Sequence, residues 1–304
     1  MRRSVLMTSL VLASGFFNND CSAVEPEGGW RPARNVPSAA PVDDPLCEWS
    51  PPSPFTGPLQ PGLPTYSLDN ASVFVIGEGF QLNAQHRLET RAAARVGANW
   101  GLPVFHDDHG LGVQIGGSAA LAGGGEQFFV TTGAFYRGDV RLGSTWNAGA
   151  VVDWIDERND EIDVFQLRPK TSITLDPQTE TGVWGAFGLT KDKTDDADTA
   201  ETVDQVNLFY RHLCSNQWDV TGWAGLRNHP DSAAVGGDAT VPLNDCWAMT
   251  TGGHWGFDAD TWHVYLGAVR FLGGRANQRY IGQFRHQPYL PVADNTSMTV
   301  AIDE

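Results

Sequence analysis

From Ala71 to Leu272 the chain repeats one pattern: large apolar side chains alternate with Gly, Ala, Thr, Asn or His over runs of about ten residues, each closed by turn residues. A period of two puts successive side chains on opposite faces of an extended strand. After Leu142, the residues Trp146, Ala148, Ala150, Val152 and Trp154 share a face opposite Thr145, Asn147, Gly149 and Asp153. Trp247, Met249, Trp255 and Phe257 likewise oppose Ala248, Thr250, Gly252, His254 and Gly256, and Trp262, Val264, Leu266 and Ala268 oppose Thr261, His263, Tyr265 and Gly267. A sandwich with water on its polar face carries Lys and Glu there rather than Gly, Ala and Thr. Strands that are apolar outside and small or polar inside suit a closed transmembrane barrel, since backbone groups in lipid are satisfied only by closure.

The punctuation predicts strands over 73–80, 92–105, 111–122, 127–137, 142–157, 162–175, 181–191, 203–214, 217–228, 233–243, 246–257 and 261–272. The predicted fold is therefore all-β, an antiparallel up-and-down barrel of about twelve strands of the outer-membrane type. Only 81–95, with Ala92-Ala93-Ala94, suits helix as well as strand. Connections at 106–110, 138–141, 176–180, 215–216 and 244–245 alternate with 123–126, 158–161, 192–202, 229–232 and 258–260, so short turns are expected at one end and longer loops at the other. An even strand number puts the arm before Ala71 and the tail after Gly273 at one end, the periplasmic one on this reading.

The N-terminal Met1-Arg2-Arg3 precedes an apolar run, 4–17, of 14 residues, shorter than the roughly 20 needed to span a bilayer as a helix. It reads as a signal peptide, 1–23, cleaved after Ala23, with a lipid-modified Cys21 as the lesser alternative. Residues 24–70 hold 11 of the 18 prolines and form a linker or arm. The predicted organisation is signal peptide 1–23, arm 24–70, barrel 71–273 and C-terminal tail 274–304. Cleavage leaves Cys47, Cys214 and Cys246. Two predicted strands separate Cys214 from Cys246, about 14 Å at ordinary strand spacing, so these cysteines are expected to stay unbridged.

The chain carries 36 Asp and Glu against 20 Lys and Arg, a formal net charge of -16, which repels a phosphate backbone and excludes nucleic acid as a partner. No G-x-S-x-G, phosphate-loop or dinucleotide fingerprint is present, so no enzyme reaction and no cofactor is implied. Asp153 with Asp156 and Glu157 has no spacing that singles it out for glycoside chemistry. His106-Asp107-Asp108-His109 reads as a polar turn before it reads as a metal site, and Asp192, Asp195, Asp196 and Asp198 as a solvated acidic loop.

The candidate lumen-facing residues are Gln114, Asn147, Asn207, Thr250, His254 and His263, with His254 and His263 meeting beside Tyr265. The candidate aromatic girdle is Trp100, Trp146, Trp154, Trp247, Trp255 and Trp262, with Trp184, Trp218 and Trp223 also near strand ends or on apolar faces. Lipid is the expected partner, together with a small solute if the lumen conducts. The second reading is a soluble periplasmic or secreted β-protein that binds a glycan or another envelope component.

The run from Arg91 through Ala98-Asn99-Trp100-Gly101-Leu102-Pro103 to Gly110–Gly116, with Gln205–Tyr210, Val241–Asp245 and Leu290-Pro291-Val292-Ala293-Asp294-Asn295, resembles an uncharacterised family of exported planctomycete proteins. The resemblance covers about 71–302 and implies a barrel-like exported protein of unknown function, with no catalytic residues. The sequence given closes on Thr299–Glu304 without the aromatic terminal residue of better-known barrels, so the last barrel strand is placed near Phe271 with the tail as an appendage.

Overall fold

The computed structural model describes residues 68–84, 87–104, 110–122, 125–138, 145–158, 162–193, 199–228, 231–257, 261–295, 297 and 300–303, all within one compact unit, Ser50–Glu304. The proposed signal peptide, nearly all of the arm, and the His106–His109 cluster lie outside them.

After a single 3-10 turn (Leu68–Asn70) come β1 (Ala71–Ala84), β2 (Arg87–Pro103), β3 (Leu111–Ala122), β4 (Gly125–Arg137), β5 (Thr145–Glu157), β6 (Ile162–Asp176) and β7 (Thr179–Gly188). Two short strands, β8 (Lys191–Lys193) and β9 (Thr199–Thr202), precede β10 (Gln205–Leu213), β11 (Asp219–Asn228), β12 (Asp231–Pro242), β13 (Trp247–Gly256) and β14 (Trp262–Phe271). The last strand, β15, is Val300–Asp303. Twelve strands, all but β8, β9 and β15, form one closed antiparallel barrel in which β1 pairs with both β2 and β14. The seam matches Ser72 with Phe271 and Gln81 with Trp262 without a break in register. Residues 87–95 are strand, so the helical alternative for 81–95 is set aside. Closure removes every free edge from the main sheet, which a β-rich chain of this length otherwise has to protect.

The alternation sorts side chains as the closed sheet requires. Val75, Val96, Ile115, Ile173, Leu208, Leu226, Val264 and Leu266 lie exposed on the outside, with Leu208 67% exposed. Their inward neighbours in the sequence are largely buried. The near end of the barrel, where β1 begins and β14 stops, carries the connections 104–110, 138–144, 177–178, 214–218 and 243–246. The far end carries 85–86, 123–124, 158–161, 189–204, 229–230 and 257–261. The predicted contrast between short and long connections is thus corrected. Three far-end connections are only two residues long, and the asymmetry reduces to one excursion, 189–204, which contains the paired strands β8 and β9.

Two further expectations change. Cys246 is disulfide-bonded while Cys214 keeps its thiol, so a bridge exists that strand spacing did not predict and it does not join these two. The segment after Gly273 is not an appendage. Gly274 and Gly282, both at positive φ, turn the chain back towards the barrel. Ala276 N–H donates to the Asp245 carbonyl and Ile281 N–H to that of Pro177, which carries the segment across the near mouth. From there it runs up the inside, and β15 pairs with β9 at the far end. β15, β9 and β8 form a separate three-stranded sheet at that end.

Candidate functional site: a lumen occupied by the chain itself

The interior is a filled polar socket on one side and a less tightly filled wall on the other. β2, β3, β4 and β6 turn Arg95, Asn99, Gln114, Thr131, Gln166 and Arg168 inward, all buried, and each engages the backbone or side chains of 284–297. The Gln114 side-chain amide donates to the Leu290 carbonyl at 2.9 Å, and its oxygen accepts from the N–H groups of Tyr289 (3.0 Å) and Leu290 (3.1 Å). One side chain thereby supplies what a neighbouring strand would supply to an extended segment. Asn99 donates to the same Leu290 carbonyl, and Arg168 donates to Pro291 O at 2.7 Å. Thr131 Oγ accepts from Ala293 N–H and Arg95 donates to Ala293 O. Asn295 donates to Glu78 and Gln127, and Gln166 donates to Ser297 O. At the near mouth Arg137 donates to the carbonyls of Phe284 and Pro288.

These donors are fixed by buried charge. Arg168 makes a two-point contact with Asp153, Nε to Oδ2 at 2.9 Å and Nη2 to Oδ1 at 3.0 Å, and Thr131 donates to Asp153 at 2.6 Å. Asp153 is therefore a buttress of this socket, and Glu157 pairs with Arg91. Arg95 sits between Glu78 at 3.6 Å and Asp294 at 3.5 Å, with His263 on the other side of Glu78 at 3.0 Å. Arg211 forks onto Asp219 and reaches Glu180, which also accepts from Ser172 and Asn147.

Small residues on the inner face make room for the segment. A side chain at Gly101 would run into the His286 carbonyl, and a Cβ at Gly116 would lie 2.6 Å from Val292. Apolar contacts complete the fit. Val292 and Ala293 join Phe80, Phe129, Ile155, Ile162 and Val164, while Tyr289 and Leu290 pack on Phe135 and Val151. Tyr289 also bonds Ser172 at 2.7 Å and lies under Lys170, whose Nζ is 4.6 Å from its ring centre.

The six candidate lumen residues all point inward: Gln114, Asn147, Asn207, His254 and His263 are buried and Thr250 half-buried. Gln114 grips the segment, and Asn147 donates to Ser172, Thr174 and Glu180. The rings of His254 and His263 are 5.8 Å apart and that of Tyr265 is 5.6 Å from His263. Trp100, Trp146 and Trp247 lie outward towards the near end, and Trp154, Trp255 and Trp262 outward towards the far end. Trp184 and Trp223 instead point inward and meet edge to face at 5.6 Å, which corrects their place among the outward aromatics. Asp192 accepts from the Asp163 N–H, while Asp195, Asp196 and Asp198 fall outside the described residues. Sequence reasoning missed Arg95, Thr131, Gln166 and Arg168. Their signal was present as polar and charged residues on the inward phase of β2, β4 and β6.

Residues 72–300 match the model of a family of unknown function, DUF6666. No curated protein matches the chain. Among solved structures, one from a study of the in-meso crystallization of membrane proteins aligns with a TM-score of 0.52 at 7% identity, over 76% of this chain and all of the other. An outer membrane channel from Pseudomonas putida F1 aligns at 0.48 and 10% identity, over 70% and 99% of the two chains. Outer membrane phospholipase A from Escherichia coli aligns at 0.43 and 9% identity, over 69% and 98%. The first shares the barrel fold with this chain, and at such identities the likeness extends to the fold alone.

Proposed function

The chain belongs to that family of unknown function, DUF6666, and from this premise we propose that it is an exported, integral outer-membrane barrel held shut by its own C-terminal segment. The outward apolar band supports the membrane placement over a soluble glycan-binding one, because isolated side chains such as Leu208 and Leu226 gain burial only in lipid. The two outward tiers of Trp fit the two headgroup levels. The export and planctomycete source implied by the sequence resemblance belong to this reading, as does the signal peptide 1–23.

One observation carries the closed state: the hydrogen bonds that Gln114, Asn99, Arg95, Arg168 and Gln166 make to the backbone of 290–297 span the height of the lumen. A pore-forming role therefore requires that segment to move. Small solutes pass when it leaves its socket, and the resting protein is a stoppered barrel. Planar-bilayer recording of the purified protein tests this. The resting protein is expected to stay near baseline, and Gln114→Ala combined with Asn99→Ala to show frequent openings. A steady, open conductance in the unmodified protein would refute the stopper. Release by alkaline carbonate, with no heat-dependent shift on gels, would refute the membrane placement.

A further inference from the structure

We propose that the far end of the lumen holds a binding site for a small soluble oxyanion, built around Arg227 on the wall the C-terminal segment does not use. Arg227 points inward from β11 and is 6% exposed. Its Nε and Nη2 have no hydrogen-bond partner among the described residues. These two nitrogens form the edge of a guanidinium that grips a carboxylate, phosphate or sulfate at two points. Elsewhere in the lumen the same edge is used: Arg168 presents Nε and Nη2 to Asp153, and Arg211 to Asp219.

The groups around Arg227 are mostly donors in the same state. Ser232 is its cross-strand partner on β12, and its hydroxyl is unpartnered among the described residues. Thr261 Oγ is unpartnered too, and both residues are more than nine-tenths buried. Gly256 brings Thr261 and the guanidinium together: a Cβ built there would lie 2.7 Å from Thr261 Oγ and 3.5 Å from Arg227 Nη1. His254, two residues further along the same inward face, is buried with an unpartnered Nδ1. Among the described residues no counter-charge is paired with this guanidinium, an arrangement that is strongly disfavoured because burial strips its water and nothing among them replaces it. An oxyanion supplies the charge and accepts from the fork, with the cross-strand Ser232 hydroxyl and the Thr261 hydroxyl on the Nη1 side as further donors. Since the group faces the lumen and not the lipid, the source is an anion from solution rather than a bilayer headgroup.

The test uses the full-length protein folded in a phosphate-free detergent. The temperature at which the compact gel form is lost is followed as inorganic phosphate or sulfate is added at fixed ionic strength against chloride. A saturable rise of roughly 5–10 °C is expected at a hundredfold excess over Kd. The rise should vanish in Arg227→Gln, weaken in Arg227→Lys, and shrink in Gly256→Ala, which keeps the guanidinium and crowds its Nη1 side and the Thr261 hydroxyl. If Arg227→Gln does not give the compact form, Gly256→Ala decides. An unchanged phosphate response in whichever of these variants folds overturns the site. An equal response to chloride also overturns it, and a response to dihexanoylphosphatidylglycerol without one to phosphate overturns the soluble source.

Discussion

The two halves of the inner wall are made from the same alternating strands yet behave as different materials. On β2 to β6 the inward Arg95, Asn99, Gln114, Thr131, Asp153, Gln166 and Arg168 are buried and spent on the C-terminal segment or on one another. On β11 to β14 the inward Thr221, Trp223, Asp238, Thr240, Thr250 and Tyr265 are only half-buried, and burial returns only towards the far end, at Arg227, Ser232, His254 and His263. The difference teaches that polarity inside a barrel has two uses. Where it is paired with a guest backbone it is structure, and where it is half-buried it is surface.

Breaking the buttress should give the largest effect. Arg168→Ala leaves Asp153 buried opposite no cation, a loss of about 3–5 kcal/mol measured by urea unfolding in detergent. Next comes the outer face. Leu208→Arg should cost about 2–4 kcal/mol in lipid vesicles, and a cost near zero would mean that this position meets water. Gln114→Ala strands the Tyr289 and Leu290 amides and leaves the Leu290 carbonyl to Asn99 alone, for which about 1–3 kcal/mol is expected. Limited proteolysis should then cut within 284–297 first. On the less filled half, Thr250→Val removes a side-chain hydrogen bond to Tyr265 and should cost about 0.5–1 kcal/mol by the same unfolding assay. A Thr250 effect as large as that of Gln114 would erase the contrast between the halves.

The barrel was legible in the sequence because period two and the change of face are local properties. Phase alone placed Asn147, His254 and His263 inside and Trp146, Trp255 and Trp262 outside. What fills the interior was not legible. Leu290-Pro291-Val292-Ala293-Asp294 has no strand period, and its partners Gln114, Arg95 and Thr131 lie more than 150 residues upstream. The inward Gly101 and Gly116 read equally well as lining for an open lumen. The loop contrast failed for a related reason: turn residues mark where a strand stops, not how tightly it turns.

The pairing of β15 with β9 beyond the far mouth has a mechanical consequence. A strand ring closed by β1 and β14 is pierced by a segment fastened on both sides, at Asp245 and Pro177 below and at β9 above. Such a rod cannot slide along its axis until one fastening lets go. Pull on β15 is therefore borne first by the four paired residues of β9, and the wall of the cylinder is loaded only afterwards.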